Sequence, residues 1–368
     1  MRTPIVVGDT EALVLHRASK GRVALGRSEE ISISPGEGHI HRASEIAKEI
    51  AQVHPAKRVF GAIGFDGDEP GSLWMAETEQ YSELSDSADV FPGPVSLTDP
   101  DRDRMRVAIE HALEQIAAGD LRKVVLARRL IAEAARPFEV GAIAAKLHQA
   151  DPSSLTYCVG WGGGVMVGST PELLIRSSEG VAVTEAVAGS APRHSDPIDD
   201  QASAKELLSS EKDLQEHRIV VEDIVGALEP FSRSVKLAAE PELRRTSRVW
   251  HLVTPISAEL AEPVSSLQLA AALHPTPSIC GVPRGRALEF IREREGFPRG
   301  LYCGLVGWTD ANGDGEWAVA LRCALVEGAT ATLYAGSGIV AGSEPEAELA
   351  ETDSKMEVFL SAIGAEAH

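Results

Sequence analysis

The chain has 368 residues, with 35 Lys and Arg against 55 Asp and Glu, a formal charge of −20 at pH 7. So acidic a surface repels phosphate and argues against nucleic acid or an anionic membrane as a partner, and no apolar run approaches the roughly 18–20 residues that span a bilayer. Cys158, Cys280, Cys303 and Cys323 lie far apart with no C-x-x-C spacing, so neither a disulfide framework nor a thiolate zinc site is indicated. The opening residues carry only two short apolar runs, Ile5–Val7 and Ala12–Leu15, which is no secretory signal. The expectation is a cytoplasmic protein with reduced, mostly buried thiols.

The first 80 or so residues mix short apolar runs with Gly- and Ser-rich turns and predict strands with occasional helices. Segment 82–103 is rich in Ser, Asp and Pro and reads as a long surface connection, the best candidate for a boundary, although the part before it is too sparse in periodic elements to stand alone. After it, Met105, Ile109, Leu113 and Ile116 recur at helical spacing over 101–118, with Thr98 and Asp99 as candidate caps and Gly119 as the stop. Residues 121–133 read as a strand. Further strands are predicted at 155–160, 165–168, 173–176, 181–187, 248–253, 302–308, 317–326 and 331–340, interrupted by long helices at 203–229 and 344–363. Strands clustered apart from helices, without strict alternation, predict an α+β fold with largely antiparallel sheets.

Several side chains stand out. Gly336, Gly338 and Gly342 resemble a dinucleotide-binding turn superficially, but the spacing is wrong and Glu344 and Glu346 at the following helix start would repel a pyrophosphate. These glycines suit a close backbone approach or a bulge. In the last helix Glu344, Glu348, Glu351 and Lys355 share one stripe, and Leu349, Met356, Leu360 and Ile363 form the buried one. The polar stripe reads either as a solvated face with a Glu351–Lys355 ion pair or as oxygen ligands for Mg²⁺. On 203–229, His217 falls near the apolar stripe of Leu214, Val221, Ile224, Val225 and Leu228, as a core histidine would, with Glu216 beside it. Lys123 stands at a strand end, where lysines are usually solvated. Pro171 stiffens the turn that presents Glu172.

Their joint order is more specific. Lys123-Val-Val-Leu-Ala-Arg128, Gly168-Ser-Thr-Pro-Glu172, Ala188-Gly189-Ser190, Glu211 to His217, His251-Leu-Val-Thr254, His274-Pro-Thr-Pro-Ser278, Gly304-Leu-Val-Gly307-Trp308 and Tyr334-Ala-Gly336-Ser-Gly338 lead into Glu348-x-x-Glu351-x-x-x-Lys355. This series resembles the chorismate-utilising enzymes, and within them most closely the isochorismate synthases of siderophore or menaquinone type. The resemblance covers roughly residues 100–362. It implies one large α+β domain over 1–368, with antiparallel sheets packed together, helices outside, and residues 1–95 completing the core.

By position, Lys123 resembles the family's general base and Glu172 its general acid. Glu216 and Glu351 resemble Mg²⁺ ligands, with Glu348 acting through water. Tyr302, Arg322, Gly336 and Lys355 resemble substrate-carboxylate contacts, and Gly189 and Ser190 line the pocket near the ring. The implied reaction adds water at C2 of chorismate and expels the C4 hydroxyl, so one group deprotonates water while another protonates the leaving oxygen. A lysine is a base only when uncharged and a glutamate an acid only when protonated, so their surroundings must differ. Lysine at position 123 and alanine at 188 favour water over ammonia as nucleophile, which leaves no need for a glutaminase subunit; a monomer is expected. Ser278 stands where isochorismate synthases usually carry alanine and salicylate synthases threonine, so a salicylate synthase, which also eliminates pyruvate, is the second reading, and a catalytically silent metabolite-binding relative the third.

Overall fold

A computed structural model describes residues 13–17, 20–82, 92–245 and 249–365, with side chains from 30 to 76 and from 92 onward within those ranges. The chain opens with β1 (Leu13–Arg17), β2 (Lys20–Ile33), α1 (His39–Val53), β3 (Val59–Ile63) and β4 (Gly71–Ser82). Then come β5 (Val95–Thr98), α2 (Arg102–Ala118), β6 (Lys123–Ala134), α3 (Val140–Ala150), β7 (Leu155–Trp161), β8 (Gly164–Thr170), β9 (Leu173–Ser178) and β10 (Val181–Pro192). α4 (Pro197–Ser209) and α5 (Glu211–Leu228) precede β11 (Ser232–Leu237), β12 (Glu242–Arg245), β13 (Val249–Leu260), α6 (Ser266–Leu273), β14 (Gly281–Val282) and α7 (Arg284–Arg294). β15 (Leu305–Thr309), β16 (Gly315–Val319), β17 (Cys323–Glu327), β18 (Thr330–Ile339) and α8 (Pro345–Ile363) complete the described chain.

Every described ladder is antiparallel. One sheet runs β6–β18–β17–β8–β7–β1. The hairpin of β1 and β2 carries the chain into the second, β2–β4–β3–β15–β16–β9–β10–β13. The inner faces share one apolar cluster in which Phe60 and Trp74 meet Leu126, Tyr157, Ile175 and Trp317. A second cluster seals the outer face of the first sheet, where Leu130, Val167 and Leu333 lie under Ile143 of α3 and Phe359 and Leu360 of α8. This is the α+β arrangement of packed antiparallel sheets that the strand clustering predicts. All four cysteines are free and buried. No helix among the described residues is long and apolar enough to cross a membrane.

The differences from the expected elements have local causes. The helix expected over 203–229 is two helices, starting earlier at Pro197 and broken at Ser210, whose backbone is extended and whose Oγ accepts from the Asp213 amide at 3.3 Å to cap α5. The strand expected over 317–326 splits at Leu321 and Arg322, and Arg322 has φ 50°. Residues 302–304 form a turn, so the strand expected from 302 begins at Leu305. α2 follows Asp101, not Thr98 or Asp99: Thr98 ends β5, and Asp99 pairs with the buried Arg128 guanidinium. Within the expected connection 82–103, residues 95–98 are a strand on β6, because their alternating side chains find an open edge there. The run Ile5–Val7 lies outside the described residues.

α4 is anchored by Asp196, whose carboxylate accepts from the Ile198 and Asp199 amides at 2.8 and 3.2 Å. Asp196→Ala should therefore lower stability by about 1 kcal/mol, read as a lower urea midpoint with an unchanged slope; an unmoved midpoint would show that this cap contributes nothing.

Candidate active site

β6 begins on Lys123, held between β14 on one edge and β18 on the other. The lysine is therefore not a solvated strand end: it is 1 % exposed. A buried ammonium is tolerable only when paired, and Lys123 Nζ donates to Glu216 Oε1 of α5 at 2.8 Å. The pair depends on Gly338 of β18. A Cβ at that position would stand 2.5 Å from Glu216 Oε1 and 3.0 Å from Lys123 Cε, so a larger residue would push the glutamate tip and the lysine stem aside. The glycine-rich run thus lies within a strand and permits a close approach. His217, next to Glu216, is the core histidine: its ring nitrogens lie 3.2 Å from the Ala188 carbonyl oxygen and 2.8 Å from Thr254 Oγ1.

Glu172 sits between β8 and β9, buried, with Oε1 accepting from Ser278 Oγ at 2.7 Å. Burial pushes its pKa up, against the pull of the Ser278 hydroxyl and the Lys123, Lys355 and Arg322 cations. A carboxyl that keeps its proton longer than an ordinary glutamate thus shares one cavity with Lys123. Across that cavity α8 presents Lys355, which pairs with Glu351 at 2.5 Å and donates to the Gly336 carbonyl at 2.8 Å. Burial pushes Glu351 up, but Lys355 and the Ser190 hydroxyl, 3.1 Å away, hold it below the ordinary carboxylate range. Ser190 reaches it because the β10–β13 ladder slips one register between Val187 and Ser190, where Gly189 adopts φ 80°.

Arg322 enters from the break between β16 and β17. Its guanidinium lines the cavity and forms no salt bridge among the described residues, and burial pushes its pKa down. Such a cation calls for an anion from outside the chain. Tyr302 is buried beside it and stacks on Tyr334 with centroids 5.2 Å apart. Of the residues singled out from sequence, Lys123, Glu172, Gly189, Ser190, Glu216, Ser278, Tyr302, Arg322, Gly336, Glu351 and Lys355 all line this cavity. Glu348 does not. It lies behind the wall, 2 % exposed, and pairs with Lys212 of α5 at 2.9 Å, which also rules out a solvated face for that part of α8.

Sequence reasoning gave His251 a place in a motif but no role. It lines the cavity with Nε2 unpartnered; burial, followed by the Arg322, Lys355 and Arg244 cations, pushes its pKa well below the usual imidazole value. The ring is neutral and offers an acceptor to a ligand hydroxyl. Lys212 and Asp213 likewise stood in a motif without a role, since two charges at a helix start look like ordinary surface.

The carboxylates of α5 and α8 bear on metal binding. No three His, Cys, Asp or Glu side chains among the described residues form a ready-made metal cluster; Glu216, Glu351 and Glu348 each lean on a lysine. Yet some repulsion remains among the acidic groups of the two helices. Glu348 is pushed up by burial and then by Glu351, and Asp213 by burial and then, against its Ser210 hydrogen bond, by Glu216 and Glu351. Hard oxygen donors from two facing helices, left with residual repulsion, fit a small divalent cation such as Mg²⁺.

Residues 71–364 match the family model described as chorismate binding enzyme. The chain belongs to that family. It is 38% identical over 345 residues to isochorismate synthase DhbC of Bacillus subtilis, covering 89% of this chain and 85% of the relative. It also superimposes on DhbC from Bacillus anthracis with TM-score 0.89 at 35% identity, covering 97% of both chains. The menaquinone-specific isochorismate synthase MenF of Escherichia coli superimposes with TM-score 0.82 at 26% identity, over 97% of this chain and 90% of that one.

Gly338→Ala should leave the fold intact while forcing Glu216 and Lys123 apart. The expected outcome is a loss of turnover of about tenfold or more with a small change in melting temperature; wild-type turnover would show that this close approach has no bearing on the site.

Proposed function

We propose that the protein is an isochorismate synthase, converting chorismate to isochorismate by adding water at C2 and expelling the C4 hydroxyl. The observation that carries the reading is a buried Glu172, its pKa raised by loss of hydration, sharing one cavity with the Lys123 amine. Glu172 protonates the departing C4 hydroxyl, and the Lys123 amine, released from its ion pair with Glu216 and relieved of its extra proton, takes a proton from the attacking water. Arg322 and Lys355 receive the substrate's carboxylates, the guanidinium in a two-pronged grip, with Tyr302 and the Gly336 backbone alongside. Neutral His251 accepts from a ring hydroxyl. These first-contact cations outweigh the −20 charge of the whole chain, because at physiological salt that wider field is screened beyond about 8 Å.

Glu216 and Glu351 would hold Mg²⁺, with Glu348 behind them acting through water. When bound, the ion supplies positive charge for a substrate carboxylate. Water as nucleophile requires no glutaminase partner, and the protein works as a cytoplasmic monomer.

Lys123→Gln and Glu172→Gln should each reduce turnover by about 10²–10⁴-fold; variants within a few-fold of wild type would remove the assignment. Chelation by EDTA should abolish activity and excess Mg²⁺ restore it, whereas activity surviving thorough chelation counts against the two-helix metal site. Chromatography of the products from chorismate should give isochorismate without pyruvate. Stoichiometric pyruvate would instead mark a salicylate synthase, and no product at all a silent binding protein.

A further inference from the structure

Glu172 does not stand alone on its protein side. Its Oε1 accepts from Ser278 Oγ at 2.7 Å, and Ser278 Oγ lies 2.6 Å from Thr276 Oγ1. A hydroxyl has a single proton to donate. Ser278 commits its proton to Glu172, so Thr276 must donate to Ser278, and the chain of bonds runs one way from Thr276 through Ser278 to Glu172. Thr276 is 2 % exposed. Its carbonyl accepts from the Ile279 and Cys280 amides at 3.1 and 3.0 Å, and the Cys280 carbonyl accepts from the Val125 amide of β6 at 2.7 Å. Arg299, itself buried, donates to the Ile279 carbonyl at 2.7 Å. The loop bearing both hydroxyls is thus fastened to the strand that carries Lys123.

We propose that Thr276 and Ser278 are positioning residues that commit Glu172 Oε1 to accepting a hydrogen bond and so leave Oε2 as the oxygen that holds the proton and delivers it to the leaving hydroxyl. The proposal rests on reading Glu172 as the general acid. The other charged or titratable groups facing Glu172 are Lys123 from β6, Lys355 from α8, Arg322 from the β16–β17 break and the Cys303 thiol from the turn before β15. Ser278 and Thr276 add no charge to this set. They add direction, which removes the degeneracy between two carboxyl oxygens and keeps the proton on the substrate side.

The test compares Ser278→Ala, Ser278→Thr and Thr276→Val with the unsubstituted protein in the pH dependence of kcat for chorismate isomerisation, with thermal melting as a check on folding. Activity falls with rising pH as Glu172 loses its proton. Removing the hydrogen bond that favours the carboxylate lets the acid hold its proton longer, so Ser278→Ala should move the alkaline limb upward by about one pH unit. It should also lower kcat at the optimum by no more than about twofold, because the proton is then shared between two oxygens of which one faces the substrate. Thr276→Val, nearly isosteric, should move the limb in the same direction by less, and Ser278→Thr, which keeps the hydroxyl, should restore both limb and rate. An unmoved limb in Ser278→Ala, or one displaced as far by Ser278→Thr, overturns the proposal. Glu172→Gln separates this from the underlying reading. If it is inactive while Ser278→Ala leaves the limb in place, the relay falls and the acid stands; if Glu172→Gln stays active, the acid falls first.

Discussion

A lysine sealed inside a protein must find a carboxylate, and here that requirement organises three elements at once. Lys123 opens a strand paired on both edges, Glu216 projects from α5, and Gly338 of β18 yields the space in which they touch. Losing either charged partner would leave the other unpaired in a low-dielectric interior at a cost of several kcal/mol. The contact therefore fixes α5 against the first sheet. Its neighbours follow from that placement: Lys212 reaches Glu348 from the same helix, and the pair ties α5 to α8. Both helices that bear acidic ligand candidates are thus positioned by ion pairs to lysines before any metal is considered.

The same arrangement explains how an acidic protein makes a home for a dianion. The cavity gathers Lys123, Lys355 and Arg322 on separate elements, and two of the three are balanced by glutamates. Arg322 is the unbalanced one, and burial already disfavours its charge. Supplying a carboxylate there relieves a cost that the folded chain carries, which is a direct route from stored electrostatic energy to affinity. Glu172 sits in that field yet keeps a raised pKa, because loss of hydration outweighs three cations. Acid and cation coexist because desolvation acts over the carboxyl's own volume, while the cations act across the cavity.

Much of the architecture was legible in the residues. Apolar runs marked the strands, and the motif order named the cavity lining, since chemistry tied to strand ends and turns leaves short, dense signatures. What could not be read was whether a polar residue faced water or protein. Lys123 and Glu348 look like surface charges in sequence and are interior in the fold, because burial depends on what packs over them from elements distant along the chain. Breaks were equally hidden: nothing in the apolar pattern of 317–326 announces that Leu321 and Arg322 leave the strand, and Ser210 ends one helix by capping the next. His251 was hidden for the opposite reason, since a histidine inside a strand run reads as filler.

The backbone of Arg322 lies at φ 50°, a region in which a side chain with a Cβ is strained by about 1 kcal/mol or more. Glycine would sit there at ease, and asparagine nearly so. Selection for heat resistance alone would therefore drift toward removing the one cavity guanidinium that no carboxylate of the described residues balances. At this codon, stability and the presence of an unbalanced cation in the cavity pull in opposite directions.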